Sequence, residues 1–300
     1  MKKNVIITGA NGMLAKKLAK DLEANYSVRF LTRNPVKENE FLWDINSKYI
    51  DKKVFKDVHY IIHLAGASIA DKRWSKKRKA SIKSSRTESA QLLLDEVKNN
   101  NILLDGFISA SAIGFYGTKT SETIFTEESP AGNDYLSNVC EAWEEKANLF
   151  YSKNLAKRIA IVRIGIIFSK NGGALQKMMK PIKLWFGAAL GKGNQYMPWI
   201  HIEDLCGIFK HILNDEKIKG TFNGVAPEHI TNVELTKAIG ASINKKILLP
   251  NIPSFVLKLI FGKMAIILLE GSRISSKKIE SLGYKFKFTS VKNALDQLKK

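Results

Sequence analysis

Val5-Ile6-Ile7-Thr8-Gly9-Ala10-Asn11-Gly12-Met13-Leu14-Ala15 is the stretch that decides the fold. Apolar β-formers run into a glycine turn, and a helical pattern follows. Gly9 permits a tight turn, and Gly12 lets the backbone approach a pyrophosphate with no Cβ in the way. A helix starting there aims its free N–H groups and the positive end of its dipole at that phosphate. The spacing is G-x-x-G-x-x-A, and Ala15 is small enough for close helix–strand packing. A plain strand–turn–helix that binds nothing is the alternative reading.

Outward from this turn, short β-rich runs alternate with longer helical ones. Residues 12–24 place Leu14, Leu18, Ala19 and Leu22 at helical spacing. Strands are expected at 26–31, 58–64, 103–110 and 158–167, and helices at 81–99 and 135–150. Such alternation means parallel strands joined by crossover helices, hence a doubly wound α/β sheet. From about Ile247 the pattern is proline-punctuated and mostly helical. Helices are expected at 255–261, 265–269 and 291–298, with a strand-like piece at 284–288. The expected division is a main domain over 1–246 and a small C-terminal helical domain over 247–300. Segments 166–198 and 225–246 are expected to contribute to a substrate lobe.

Apolar residues make up 45% of the 300 positions and charged residues 25%, which excludes disorder, collagen and coiled coil as descriptions of the whole. Lys+Arg is 48 against 28 Asp+Glu, a net charge of +20. Such a field attracts polyanions in general, but the lysines are spread along the whole chain, as for solvated decoration. The basic run Lys72-Arg73-Trp74-Ser75-Lys76-Lys77-Arg78-Lys79 reads as a solvated loop, and no nucleic-acid partner is expected. Cys140 and Cys206 cannot build a disulfide framework or a four-thiolate zinc site, and they fit a reducing cytosol. Five histidines are scattered without a ligand pattern, so no metal is expected. The apolar run Val5–Ile7 is too short for a signal core, and 255–269 is too short to span a bilayer. A cytoplasmic protein without a membrane association is the expectation.

The end of the second strand bears on which dinucleotide fits. It reads Leu31-Thr32-Arg33-Asn34-Pro35, with no acid at the tip. A carboxylate there would repel a 2′-phosphate, whereas Arg33 clamps it and Thr32 adds a hydroxyl. NADP is therefore expected ahead of NAD.

Further pieces carry a resemblance. They are His63-Leu64-Ala65-Gly66, Ser85-Arg86, Ser109-Ala110-Ser111-Ala112-Ile113-Gly114-Phe115-Tyr116-Gly117 and Asn171-Gly172-Gly173-Ala174-Leu175. Pro198-Trp199-Ile200-His201-Ile202-Glu203-Asp204-Leu205 and Phe222-Asn223-Gly224-Val225-Ala226-Pro227 follow. The tail adds Phe261-Gly262-Lys263-Met264-Ala265 and Leu268-Leu269-Glu270-Gly271. Together with the glycine turn, these resemble the extended branch of the short-chain dehydrogenase/reductase superfamily. Within it they resemble the epimerase family group of atypical NAD(P)-binding proteins with a small C-terminal domain, over essentially all 300 residues. The resemblance implies a Rossmann-type doubly wound parallel sheet with a smaller C-terminal substrate lobe. It implies a cofactor site of Gly9, Asn11, Gly12, Met13, Leu14, Thr32, Arg33, Leu64, Ala65, Gly66, Arg86 and Gly165. By the same resemblance, His63–Gly66 ends a fourth strand and Arg86 begins the long helix near the cofactor phosphates; a solvated Arg86 is the alternative.

Active members of the superfamily use a Ser or Thr, a Tyr, and a Lys one helical turn after the Tyr. The Lys lowers the Tyr pKa, and the Tyr passes a proton while the nicotinamide passes hydride. Ser111 and Tyr135 stand at the matching places and are the catalytic candidates. Four residues after Tyr135, however, stands Val139. Tyr116 is another hydroxyl, also without a Lys partner. His201 and Asp204, three apart, read as joinery ahead of chemistry, and Glu141, Glu144 and Glu145 are expected to be solvated. Two functions remain open. One is an NADP-dependent oxidoreductase or sugar-type epimerase acting on a small carbonyl or hydroxyl substrate. The other is a non-catalytic dinucleotide sensor or scaffold that has lost the Tyr-x-x-x-Lys relay. A homodimer is left open.

Overall fold

In the computed structural model, which describes residues 2–299, the alternation of apolar side chains along each strand sets the layers. The first half of the chain runs β1 (Lys3–Thr8), α1 (Met13–Leu22), β2 (Tyr26–Thr32), β3 (Glu40–Asp44), β4 (Tyr49–Ile50), β5 (Val58–His63) and α2 (Lys76–Asn99). Then come β6 (Gly106–Ala112), β7 (Ser121–Phe125), α3 (Tyr135–Ser152), β8 (Ile159–Ile164), β9 (Ile166–Phe168), α4 (Ala174–Lys183), β10 (Trp199–His201) and α5 (Ile202–Asn214). The rest is β11 (Gly220–Gly224), α6 (Asn232–Ser242), α7 (Ser254–Phe261), α8 (Ile266–Leu269), β12 (Ser272–Ile274), α9 (Lys277–Ser281) and α10 (Val291–Lys299).

Eight strands form the main sheet in the order β11-β8-β6-β5-β1-β2-β3-β4, parallel throughout except for β4. Val5, Ile7, Tyr60, Ile62, Ile108 and Val162 face α1 and α5. Their neighbours Ile6, Ile61, Phe107 and Ile161 face α2 and α3. Burial on both faces is what a parallel sheet under two helical layers requires. The strand order reverses between β1 and β5, whose register pairs Ile7 with Ile62. The carboxyl ends of those two strands therefore open a crevice of the kind that takes a ligand in doubly wound sheets.

Gly165 ends β8 and turns β9 out of the main sheet to pair with β10. A Cβ on Gly165 would lie 2.7 Å from the Pro198 carbonyl oxygen, so only glycine fits this crossing. The expected single strand 158–167 is accordingly two. β9 and β10 carry Phe168 and Trp199 into a second core with Leu175 of α4, Leu235 and Ile239 of α6, and Val291 and Leu295 of α10.

The tail is tied to the body at several points. β12 pairs with β7. Buried Asp204 accepts hydrogen bonds from the Tyr284 hydroxyl and from the Lys287 and Phe288 N–H groups. Those N–H groups are spent on a carboxylate, so 284–288 is no strand, and the tail's strand is Ser272–Ile274 instead.

Two other expectations need correction. The long helix α2 begins at Lys76, capped by the Ser75 side chain, so Arg86 sits near its middle. The second half of the basic run is thus helix and not loop. His63–Gly66 follows β5, the fifth strand in chain order, because β3 and β4 intervene.

Candidate functional site

The glycine turn is built for close backbone approach. Gly9 has φ +77°, and a Cβ there would lie 3.2–3.3 Å from the main chain of Leu64 and Ala65. Thr8, buried at the end of β1, accepts the N–H groups of Leu64 and Ala65 on its hydroxyl at 2.9 and 3.0 Å. β1 and β5 are thereby stapled at the crevice floor. Gly12 donates its N–H to the Gly9 carbonyl and caps α1 with no side chain over the helix end. Asn11 is exposed and Met13 half-buried beside this end, while Leu14 is turned into the core. A dinucleotide pyrophosphate fits such a cradle, because a bare helix N-terminus and a side-chain-free turn supply N–H donors at close range.

At the tip of β2, Thr32 is buried and its hydroxyl accepts the Asn34 N–H at 3.4 Å. Arg33 is exposed and makes no hydrogen bond or ion pair among the described residues, although its charge acts on Asp44 at the end of β3. An unpaired guanidinium at this tip matches a 2′-phosphate and not a free ribose diol.

Loop 64–70 leads from the crevice to a second wall. Its Ala67 N–H donates to Ser85, and its Ala67 carbonyl accepts from Arg86, which also donates to the Ile82 carbonyl. The Arg86 guanidinium covers Gly66, where a Cβ would come within 3.0 Å of it, and lies 5.0 Å from the Trp143 ring centroid. Burial lowers the Arg86 pKa. Arg86 therefore braces the cofactor loop from mid-helix and is not a solvated residue. Beneath it, buried His63 accepts the Trp143 indole N–H at Nδ1 and meets Ser89 at 2.8 Å through Nε2. Burial, with the Arg86 charge adding, pushes His63 down to about 3.

Beyond the loop lies a cavity of about 800 Å³, lined by Trp74, Lys79, Thr118, Tyr135, Lys192, Ser254, Lys258 and Lys263 among others. The Trp74 indole N–H donates to the Ile69 carbonyl, so loop 64–70 runs from the crevice to a residue that lines the cavity. The two carboxylates that line the cavity are occupied: Asp134 caps α3 and holds Thr118, and Glu270 holds Thr120. None of the four lysines makes an ion pair among the described residues. The cavity is positive, with an apolar wall from Trp74, Tyr135 and Leu136.

Tyr135 stands on this wall at the first turn of α3. Its hydroxyl donates to the Lys79 carbonyl at 2.9 Å, and the Lys79 ammonium sits 4.4 Å from its ring centroid. Burial raises its pKa, partly offset by the Arg86 and Arg78 charges. One turn on, Val139 is buried in an apolar cluster with Trp74, Ile82, Leu136 and Met264. The helix face that carries Lys in the superfamily is here part of the core.

Ser111 lies elsewhere. It is buried at the end of β6 and donates to Glu144 at 2.6 Å. Glu144 is not solvated as its sequence position suggested. It forms a buried two-point ion pair with Arg163 at 2.8 and 2.9 Å. Burial works to lower Arg163, but the bonds and charge of Glu144 outweigh it and hold the guanidinium above its ordinary value. Arg163 continues to the Tyr116 hydroxyl, which donates to Asn223 at 2.6 Å. Tyr116 is therefore locked in the same chain of bonds, and burial pushes its phenol up to about 12. One signal for this network was legible: Arg163 interrupts an apolar strand, and a cation buried there needs a partner. His201 caps α5 and contacts Gln297, while Asp204 binds the tail, so both are joinery. Among the described residues no group of three or more His, Cys, Asp or Glu has metal-site geometry. Both cysteines are buried and unpaired, and burial pushes each up to about 12.

Comparison with known proteins adds to this geometry. The profile of the NAD dependent epimerase/dehydratase family matches residues 5–223, and a domain of unknown function, DUF1731, matches 252–298. An Arabidopsis thaliana protein, "Epimerase family protein SDR39U1 homolog, chloroplastic", is 34% identical over 97% of this chain and 85% of its own. A Staphylococcus aureus epimerase family protein, SAR0825, is 32% identical over 99% of both chains. The crystal structure of human epimerase family protein SDR39U1 (isoform 2), solved with NADPH, superposes with a TM-score of 0.88 at 29% identity over 98% of each chain.

Proposed function

From membership of the NAD dependent epimerase/dehydratase family, to which this chain belongs, we propose that it is an NADP-dependent oxidoreductase or sugar-type epimerase acting on a small carbonyl or hydroxyl substrate. The observation that supports the reading is that one loop ties the glycine turn to a residue of the cavity. Loop 64–70 packs on the glycine turn at its start and holds Trp74 of the cavity at its end. A cofactor in the crevice and a substrate in the cavity would meet across that loop.

The cofactor's preferred form follows from Arg33, free at the tip of β2, and the human relative solved with NADPH supports the same choice. Gly9, Gly12 and the α1 N-terminus would hold the pyrophosphate, and Leu64–Gly66 would lie along the riboses. Bound there, NADP supplies or accepts hydride. The chain's own residues then have three tasks. Arg86 keeps the loop in place. The cavity lysines attract and orient an anionic substrate. Tyr135 delivers a proton to the substrate oxygen after its hydroxyl leaves the Lys79 carbonyl. The protonated phenol serves as the acid of carbonyl reduction, and the Arg86 and Arg78 charges work against the weakening of that acid by burial. In place of the missing one-turn lysine, the Arg86 and Arg78 charges act on the phenol, and Lys79 lies over its ring. In this reading Ser111 acts through Glu144 to shape the site and does not touch substrate. The division into 1–246 and 247–300 is part of the proposal, with both parts contributing cavity walls.

The test is NADPH oxidation by the full chain against a panel of anionic aldehydes and ketones. Tyr135→Phe should lower kcat by about 100-fold or more while leaving NADPH affinity unchanged. Turnover that survives Tyr135→Phe would move the proton to another group.

A further inference from the structure

The lobe around the cavity carries a surface that the proposed chemistry uses only at Lys258 and Lys263, on the cavity rim. No acidic residue occurs between Glu145 and Glu203, or between Glu234 and Glu270. No arginine lies between Arg163 and Arg273, so the cations carried by α4, α7 and the chain beside them are lysines, with Arg73 reaching the Leu259 carbonyl from the main domain. Lys180, Lys183, Lys245, Lys246, Lys258 and Lys263 make no ion pair among the described residues. Large apolar side chains stand exposed among them: Trp185 at 58%, Phe186 at 68%, Leu248 at 74%, Phe255 at 71% and Leu259 at 76%.

These residues belong to two chain segments that run side by side. Leu190 bridges Ile252, Ile252 donates its N–H to Ala189, and Lys245 lies 3.7 Å over the Trp185 ring. Phe255 and Leu259 are one helical turn apart on α7 and share a face. The opposite side of α7 buries Leu257, so the outward residues serve no internal packing.

We propose that this face docks on an anionic membrane surface, with Trp185, Phe186, Phe255 and Leu259 entering the interface and the lysines meeting lipid headgroup phosphates. Charge decides among occupants. A second copy set against this face by a two-fold axis would place lysine against lysine with no acid to answer it. Interfaces with protein partners favour arginine and deplete lysine, whereas lysines around exposed tryptophan, phenylalanine and leucine are the pattern of surface-seated membrane segments. No helix among the described residues is long and apolar enough to cross a membrane, and none is needed for attachment at the surface. The cavity shares this rim through Ser254, Lys258 and Lys263, so docking would open it toward the headgroups. That last clause rests on the proposed function; the docking itself does not.

The full chain is mixed with vesicles of phosphatidylcholine alone and with about 30% phosphatidylglycerol, and bound protein is separated by flotation. Trp43, Trp74, Trp143 and Trp199 are at most 9% exposed, so a shift in emission reports Trp185. Binding about tenfold stronger to the anionic vesicles, with blue-shifted emission, is expected. Phe255→Ser/Leu259→Ser should reduce binding by about fivefold or more with an unchanged Tm, since both side chains are exposed. Lys16→Gln/Lys20→Gln on exposed positions of α1 should change it less than about twofold. A loss of about fivefold or more with Lys16→Gln/Lys20→Gln, or none with Phe255→Ser/Leu259→Ser, would reduce the binding to bulk charge and overturn the proposal. No binding, binding without an emission shift, or a blue shift on self-association without vesicles would also overturn it. NADPH affinity measured on the same samples keeps failure of this proposal distinct from failure of the proposed chemistry.

Discussion

Ser111 donates its hydroxyl to Glu144 across 2.6 Å, and both side chains are buried against Arg163. A serine at the end of the strand, where an active site would place one, is here the first member of a buried polar chain that continues to Tyr116 and Asn223. In the proposed reading its role is positional, a hydrogen bond to the Glu144 carboxylate that Arg163 also holds.

Removing one partner of that pair leaves the other buried and uncompensated. Glu144→Ala should cost about 3–5 kcal/mol in urea unfolding. Ser111→Ala should cost only about 1–2 kcal/mol and leave NADPH affinity unchanged. A Glu144→Ala cost near that of a surface pair would mean the network is wet in solution.

Val139→Lys restores the superfamily's spacing but puts an ammonium among Trp74, Ile82, Leu136 and Met264. The variant should melt several degrees lower and gain no activity, because burying an unpaired charge is costly. A variant of native Tm with faster carbonyl reduction would show that the helix face is open to the site.

His63 makes stability depend on pH in one direction. Its folded pKa is depressed to about 3 by burial, below the unfolded value of 6.5. Above 6.5 the imidazole is neutral in both states and its contribution is fully present. As pH falls below 6.5 the unfolded chain takes up the proton and the folded one does not, so stability drops by roughly 1.4 kcal/mol per unit toward pH 3. Unfolding free energies from pH 7 to pH 4 should show this slope, and His63→Asn should flatten it. Equal slopes in both proteins would place the titration elsewhere.

The nucleotide end was legible because its chemistry is local. Gly9, Gly12 and the tip at Arg33 lie within one strand–turn–helix–strand, where spacing alone puts them together. The doubly wound parallel sheet followed from the same alternation, whereas β3, β4 and the departure of β9 from that sheet did not. The substrate end was not legible, because the cavity joins Lys79 to Lys192, Lys258 and Lys263 across long loops. Val139 and Glu144 lie on the same helix five residues apart, and only packing decides that both face inward. Arg163 was the exception, a buried cation visible as a break in an apolar strand.

In the proposed reading the crevice at the ends of β1, β2 and β5 holds NADP through the glycine turn and Arg33. Calorimetric titration of NADPH and NADH into the full chain and into Arg33→Asp measures that hold. NADPH should bind more tightly to the native protein, and the substitution should weaken NADPH by about 2–4 kcal/mol with little change for NADH. Equal binding of the two cofactors, or no effect of Arg33→Asp, would contradict the account.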